Sequence, residues 1–247
     1  TIFSVKILIF FLNSLFFPQT KFMHIPTELL RFLTDLKTNN NREWFADHKK
    51  EFEVVKLQFE RVVAELISDF SEFENMQGVE VKHCVFRIYR DVRFSKDKAP
   101  YKPWFSAAFS EGGKNSPFMD YYLHIEPGGK SFLGGGMYAP APEHLAKFRQ
   151  EVDYNGKQLM ELINQPKFAS NFGQFQGESL KKAPKGYPKD HPYLELLKQK
   201  QFFFWKHFSD EELIQENFLE KVIEYAKLLK PVLDFLNASI FDKAPTE

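Results

Sequence analysis

Apolar positions along the chain change period twice. Pro26 stands where a helix tolerates proline, in its first turn, and Leu29, Leu30, Leu33 and Leu36 then fall on one face with Phe32 beside them. The spacing predicts a helix there. "TNNNREWF" ends it and begins another, with Asn40 as the expected cap and Glu43 as the return arm of a capping box. Phe45, His48, Phe52, Val55, Phe59, Val62 and Leu66 then alternate at spacings of three and four, which predicts a long helix to about Phe70. Such a stripe also fits a coiled-coil dimer, but in a mixed domain it packs more often on a sheet.

After "NMQG" the period becomes two. Cys84, Phe86, Ile88, Val92 and Phe94 would face one way, and Val85, Arg87, Tyr89, Asp91 and Arg93 the other. Further strands are predicted near Phe105 to Phe109, Met119 to Ile125 and Ser131 to Tyr138, with "EPGGKS" as the hairpin turn between the last two. Helices resume from Pro142, with breaks near Asn155 and Pro166. "LKKAPKGYPKDHP" reads as a loop, "QFFFWKHF" as a short apolar segment, and "SDEE" as a helix cap. A last helix is predicted from about Asn217 to Ile240, bending near Pro231. Helices, then an antiparallel sheet of about four or more strands, then helices define an α+β fold.

The 247 residues suit one large domain or two small ones. The domain reading is a single α+β unit over 23–247, preceded by a signal-like or upstream extension over 1–22. "VKILIFFLNSLFF" within that extension is shorter than the ~20 apolar residues of a membrane span, so no stable span is expected. No small-x-small cleavage site follows it, and Met23 is the expected start of the working protein. With one cysteine, Cys84, no intramolecular disulfide can form, which favours a reducing, cytoplasmic setting, although the apolar segment leaves secretion open. Aromatic residues are abundant at 29 Phe, 9 Tyr and 3 Trp, and each buried ring removes roughly 150–250 Å² from water, so a large core is within reach.

Lys plus Arg and Asp plus Glu balance at 33 each, which disfavours a dedicated non-specific nucleic-acid binder and makes any anion site local. "GGKS" ends like a phosphate-binding P-loop, but His124 occupies the position of the loop's first glycine and a strand follows where a helix is needed. "HIE" puts His124 and Glu126 on one strand face, roughly 7 Å apart, without further ligands at a recognisable spacing, so no metal site is expected. GxSxG and GxGxxG are absent, and neither a cofactor nor a hydrolase serine is nominated.

"FRIYRDVRFSKDKAPYKPWF" stands apart. Arg87, Arg90, Arg93, Lys96, Lys98 and Lys102 outnumber Asp91 and Asp97, a local +4 in a neutral chain. Arginine offers a planar fork for phosphate or carboxylate, lysine a point charge, and Tyr89, Tyr101 and Trp104 an apolar wall. Arg90 interrupts the apolar alternation, and a guanidinium in a core is costly unless paired. Lys181 and Lys185 in "LKKAPKGYPKDHP" form a second basic segment.

"NNNREWF", "FRIYRDVRFSKDKAPYK", "YLHIEPGG", "FLGGGMYAP" and "LKKAPKGYPKDHP" together resemble the conserved-hypothetical family called domain of unknown function 2461, found in bacteria and fungi. The resemblance covers roughly Ile25 to Ile240 and implies no substrate, cofactor or catalytic residue. The expected function is binding or processing of a small anionic ligand by Arg87, Arg90, Arg93, Lys96, Lys98, Lys102, Lys181 and Lys185, with Asp91, Asp97 and Tyr101 as candidate acid–base groups. The alternatives are a structural, salt-bridged role for the basic block and, below it, a nucleic-acid-binding module. Whether the protein is an enzyme and what its oligomeric state is stay open.

Overall fold

Leu29, Leu30, Phe32, Leu33 and Leu36 are buried along one side of helix α1 (Thr27–Thr38). A computed structural model describes residues 24–242 of the chain; the extension expected over 1–22 lies outside the described residues. Asn41, not Asn40, caps α2 (Arg42–Asp47), its side chain accepting from the Trp44 amide at 2.9 Å. Asn40 does something else: its amide donates to the Tyr101 carbonyl at 2.9 Å and its oxygen accepts the Tyr101 N–H at 3.1 Å. It thereby pairs with a backbone as a strand would.

The three-and-four stripe continues on α3 (Lys49–Phe70), where Phe52, Val55, Phe59, Val62, Leu66 and Phe70 are buried. It packs on the sheet: Phe59 stacks on Phe105 at 5.1 Å and Phe70 on Phe109 at 4.7 Å. The sheet is antiparallel with strands in sequence order: β1 (Phe105–Phe109), β2 (Asp120–Ile125), β3 (Ser131–Met137) and β4 (Phe202–Phe208). The fold is α+β, as expected.

The membership of the sheet differs from the expectation in two places. Residues 84–94 are not a strand. A short helix α4 (Val81–Cys84) leads into an irregular segment that touches the β1 edge only at Val85↔Ala107 and closes on itself at Tyr89↔Tyr101. The ladder stops because Pro100 has no N–H to donate and because Arg90 could not continue an apolar face. The fourth strand is instead the apolar segment "QFFFWKHF". Its aromatic residues alternate between faces, with Phe202, Phe204 and Phe208 inward.

Helix α5 (Pro142–Ile163) loses helical geometry at Asn155 and α6 (Pro166–Phe172) starts on a proline, where both breaks were expected. After the short α7 (Leu194–Leu197) and β4, Ser209 and Glu212 form a capping box on α8 (Asp210–Leu213). The terminal α9 (Phe218–Phe241) lies against β3, Pro231 within it. Gly135 permits that approach: a Cβ there would sit 3.2 Å from methyls of both Leu229 and Leu233.

Pleating assigns the two faces of the sheet. Phe105, Phe109, Tyr121, Leu123, Leu133, Phe202 and Phe204 join the helices in one continuous core. Ser106, His124, Phe132 and His207 form one cross-strand row on the opposite face, and Ala108, Tyr122, Gly134 and Trp205 the next. Asp120, Gly136 and Phe203 complete it. Among the described residues, no helix is long and apolar enough to cross a membrane.

Candidate functional site

The face turned away from the helices floors a cleft of about 740 Å³, lined by Trp104, Asp120, Tyr122, His124, Phe132 and Trp205 among others, with Phe118 and Tyr138 at its rim. Small-molecule sites typically span ~300–1,000 Å³. Rings follow one another across it without a gap. Trp104 lies 5.3 Å from His124, His124 stacks on Phe132 at 4.8 Å, Phe132 meets Trp205 at 5.5 Å, and Trp205 meets Phe203 at 5.1 Å. The glycines of β3 leave the floor open where a side chain would otherwise stand.

Asp120 is the unusual group. Its carboxylate makes no ion pair and no side-chain hydrogen bond among the described residues, although it keeps some contact with solvent through the cleft mouth. The protein atoms packed around it raise its pKa to about 7, offset only slightly by its own backbone N–H. The acid therefore exchanges a proton near neutrality, the property a general acid or base requires.

At the other end of the cleft stands His124. His124 is pushed below its usual pKa by burial, against the pull of Glu126, whose carboxylate lies 3.2 Å from its Nε2. Glu126 is also met by Lys37 at 3.5 Å and Lys130 at 3.4 Å. Among the described residues, no group of three or more His, Cys, Asp or Glu side chains is arranged to hold a metal ion. Lys102 lies over the Phe86 ring at 5.7 Å, and Phe86 in turn meets Tyr122 edge-on at 5.8 Å. Burial, then the neighbouring Arg87, lowers the pKa of Lys102. Arg87 is also close enough to Asp91 to help hold that carboxyl below its usual range.

The rest of the basic block is directed at its own loop. Arg90 donates to Asp97 at 2.5 Å and to the Ala99 carbonyl at 3.0 Å. Arg93 grips Asp91 with Nη2–Oδ2 at 2.7 Å, and Lys98 donates to the Val92 carbonyl at 3.0 Å. The Arg93 guanidinium holds the Asp91 carboxyl below its usual range; the Ala99 amide and then Arg90 do the same for Asp97. Both carboxylates are thus poor at holding a proton at neutral pH. Tyr101 is buried, stacked on Phe45 at 3.9 Å, and burial raises its pKa. Lys96 is exposed, and Phe94 at 96% exposure marks the outer side of the loop. Replacing Arg90 by alanine is expected to cost about 1–2 kcal/mol through the lost charge-assisted bond to Ala99. The 90–99 loop should become protease-sensitive, which limited proteolysis and the urea midpoint together would read.

Lys181 and Lys185 do not join these residues. The chain leading into their segment borders β4, through Gln176↔Phe203, while the Arg90 loop follows the residues that touch β1 at the opposite edge of the sheet. None of the eight expected ligand residues lines this cleft, and of them Arg87 alone lines a second one. The second cleft, of about 580 Å³, lies beside α3 and is lined by Lys49, Lys56, Phe86, Arg87 and Lys114 among others. Most of its cations are engaged. Lys49 pairs with Glu53, Lys56 with Glu60, and Lys114 donates to the carbonyls of Lys82 and Val85. The "GGKS" turn is occupied from within, since the amides of Gly128 and Gly129 bind the Asp210 carboxylate at 2.8 and 3.0 Å. Cys84 is buried, which pushes its thiol up to about 11.

A family model described as "Conserved hypothetical protein (DUF2461)" matches residues 28–235. The chain belongs to this family. No curated protein and no solved structure matches it. The DUF2461 match spans both clefts, the Arg90 loop and all four strands.

Asp120, Phe132 and Trp205 were absent from the residues singled out in the sequence. The signal was present for Asp120. Extending the His124–Glu126 alternation back by two and four positions reaches Tyr122 and Asp120 on the same strand face. Trp205 required "QFFFWKHF" to be read as a strand.

Proposed function

We propose that this DUF2461 protein binds a small planar molecule over the open face of its sheet, between the rings of Trp104, Phe132 and Trp205. The polar edge of the ligand meets Asp120. The observation that carries this reading is an unpaired carboxyl, titrating near neutrality, at the floor of an aromatic cleft. A carboxyl packed among apolar atoms without an ion-pair partner is costly, and ligand sites are where such a group is retained. Flat rings supply the affinity, at about 1–3 kcal/mol per stack.

Two of the chain's three tryptophans line the cleft, so their fluorescence reports on it. Titrating a panel of planar heterocycles should quench that fluorescence and raise the melting temperature. Trp205→Ala, at a half-exposed position, should weaken the best member about tenfold or more. A panel in which no compound affects wild type more than Trp205→Ala contradicts the proposal.

A second reading concerns the basic block. The bonds of Arg90, Arg93 and Lys98 within their own loop favour a structural role for these three residues. Within the block, the expected anion site then narrows to Arg87, Lys96 and Lys102.

A further inference from the structure

We infer that the planar ligand of this cleft is an organic cation, a flat heteroaromatic ring carrying a positive charge, held with that charge beside Asp120 and its faces toward the aromatic walls. The inference rests on the cleft being the binding site and adds the charge and class of the ligand.

The charges lining the cleft support it first. Among the described residues, Asp120 is the one acid on its surface, and no lysine or arginine lines it. His124, at the other end, is kept toward its neutral form by burial. The cleft beside α3 is built differently, with Lys49, Lys56, Lys82, Arg87 and Lys114 set against Glu53 and Glu60. A carboxylate ionised among apolar atoms calls for a counter-charge. The described lining of the sheet cleft holds none, so the ligand brings it.

The rings favour the same sign. The face of an aromatic ring is its negative side, and it attracts a cation lying within roughly 6 Å of the ring centre. On the far wall Trp205 meets Phe203 at 5.1 Å and Phe203 meets Tyr138 at 5.4 Å. On β2, Tyr122 shares a strand face with Asp120 and lies 5.9 Å from Phe132. An anion over these faces is repelled and a neutral ring gains stacking alone. A cationic ring gains stacking, attraction to the faces and pairing with the acid.

The floor admits such a ring. Register sets Asp120, Gly136 and Phe203 in one cross-strand row and Tyr122, Gly134 and Trp205 in the next. Glycine stands in the middle of both rows. The flanking strands, β2 and β4, are two interstrand spacings apart, roughly 10 Å. The result is a trough with Asp120 and Tyr122 along one side and Phe203 and Trp205 along the other.

Binding should follow the charge of Asp120. The cleft residues around it come from β2, β3, β4, the 116–118 segment and Tyr138, and the titratable ones are Tyr122, His124 and Tyr138. Burial raises the pKa of Tyr122, so it stays neutral. His124, acted on by Glu126, His207 and Lys102, loses its proton below its usual range and favours a cation in the same sense, at lower pH. A cation should therefore bind more tightly as pH rises through about 7, where Asp120 ionises, and Asp120→Asn isolates that step from the histidine.

Calorimetric titration of the full chain at pH 8 with N-methylquinolinium, quinoline and a quinolinecarboxylate tests the inference. The three share one bicyclic ring system and are cationic, neutral and anionic at that pH. The cation is expected to bind about tenfold or more tightly than quinoline, and the carboxylate more weakly than either. The cation's advantage should shrink between pH 8 and pH 6 and be lost in Asp120→Asn, a variant that quinoline binds no more weakly than wild type. If quinoline binds wild type as tightly as the cation does, the inference falls while the cleft remains the binding site. It falls equally if the cation's advantage survives in Asp120→Asn, or if the carboxylate binds best. If none of the three binds, the cationic class is overturned, and the heterocycle panel decides separately whether the cleft binds anything.

Discussion

Asp120→Asn is expected to stabilise the protein at pH 8 by roughly 2–4 kcal/mol while changing little at pH 4. The sign follows from the direction of the shift. A carboxyl ionises near pH 4 in the unfolded chain, whereas burial delays Asp120 to about 7. Below pH 4 both states are protonated and the group contributes nothing to the pH dependence. Between pH 4 and 7 only the unfolded chain releases the proton, so wild-type stability declines; above 7 the loss is complete and constant. Asparagine cannot ionise and removes this slope. His124 acts in the opposite direction. Its folded pKa is depressed, so its contribution improves as pH rises toward 6.5. Subtracting the Asp120→Asn curve from that of wild type cancels the histidine and leaves the aspartate. Chemical denaturation at half-unit pH intervals would measure the difference. A stability gain at pH 8 combined with lost ligand binding is the signature of a group kept for function rather than for folding.

Gly136→Ala should be more damaging than any surface change, costing about 2–5 kcal/mol, a large part of the ~5–15 kcal/mol that holds a typical domain folded. Gly136 has φ +119°, outside what L side chains ordinarily adopt, and a Cβ there would collide with the Phe202 carbonyl oxygen on β4. The neighbour is backbone at the paired end of the β3–β4 ladder, not a flexible side chain, so it yields only if the strands part. Gly186→Ala supplies the comparison. Its φ is +95°, but nothing lies within 4 Å of the added methyl, so it isolates the backbone strain. The excess of the first substitution over the second, read as the difference in urea midpoints, measures how tightly β3 and β4 pack beneath the cleft. Equal midpoints for the two variants would contradict the close approach of these strands.

The helices were legible because their signals are local. Leucines at helical spacing in α1, the proline starts of α5 and α6, and the Ser209–Glu212 box each depend on a few consecutive residues. The β2–β3 hairpin was legible for the same reason. Residues 84–94 misled because strict alternation is also met by a chain that lies along a sheet edge and pairs only at two isolated bridges. The period-two pattern reports which side chains are buried, not whether the backbone completes a ladder. In β4 the reverse happened: consecutive aromatics concealed an alternation that becomes visible only when Phe202 and Phe204 are seen against the helices and Trp205 against the cleft.

The candidate site was legible in part. Local charge excess marks the basic block in the sequence, and Arg90 stands out there because it interrupts an apolar face. Sequence could not show that Asp97, seven residues on, would receive it, since loop closure depends on how Tyr89 and Tyr101 pair. Nor could it show that Asp120 would lack a partner. Being unpaired is a property of the whole surrounding structure, and one acid among the chain's 33 carries no mark of it.

Soaking crystals with a panel of planar heterocyclic fragments tests the central claim most directly. The account predicts density stacked over Phe132 and Trp205, with a polar edge within hydrogen-bonding distance of Asp120. Fragments gathered beside α3 or on the Arg90 loop, with the sheet cleft left empty, would contradict it.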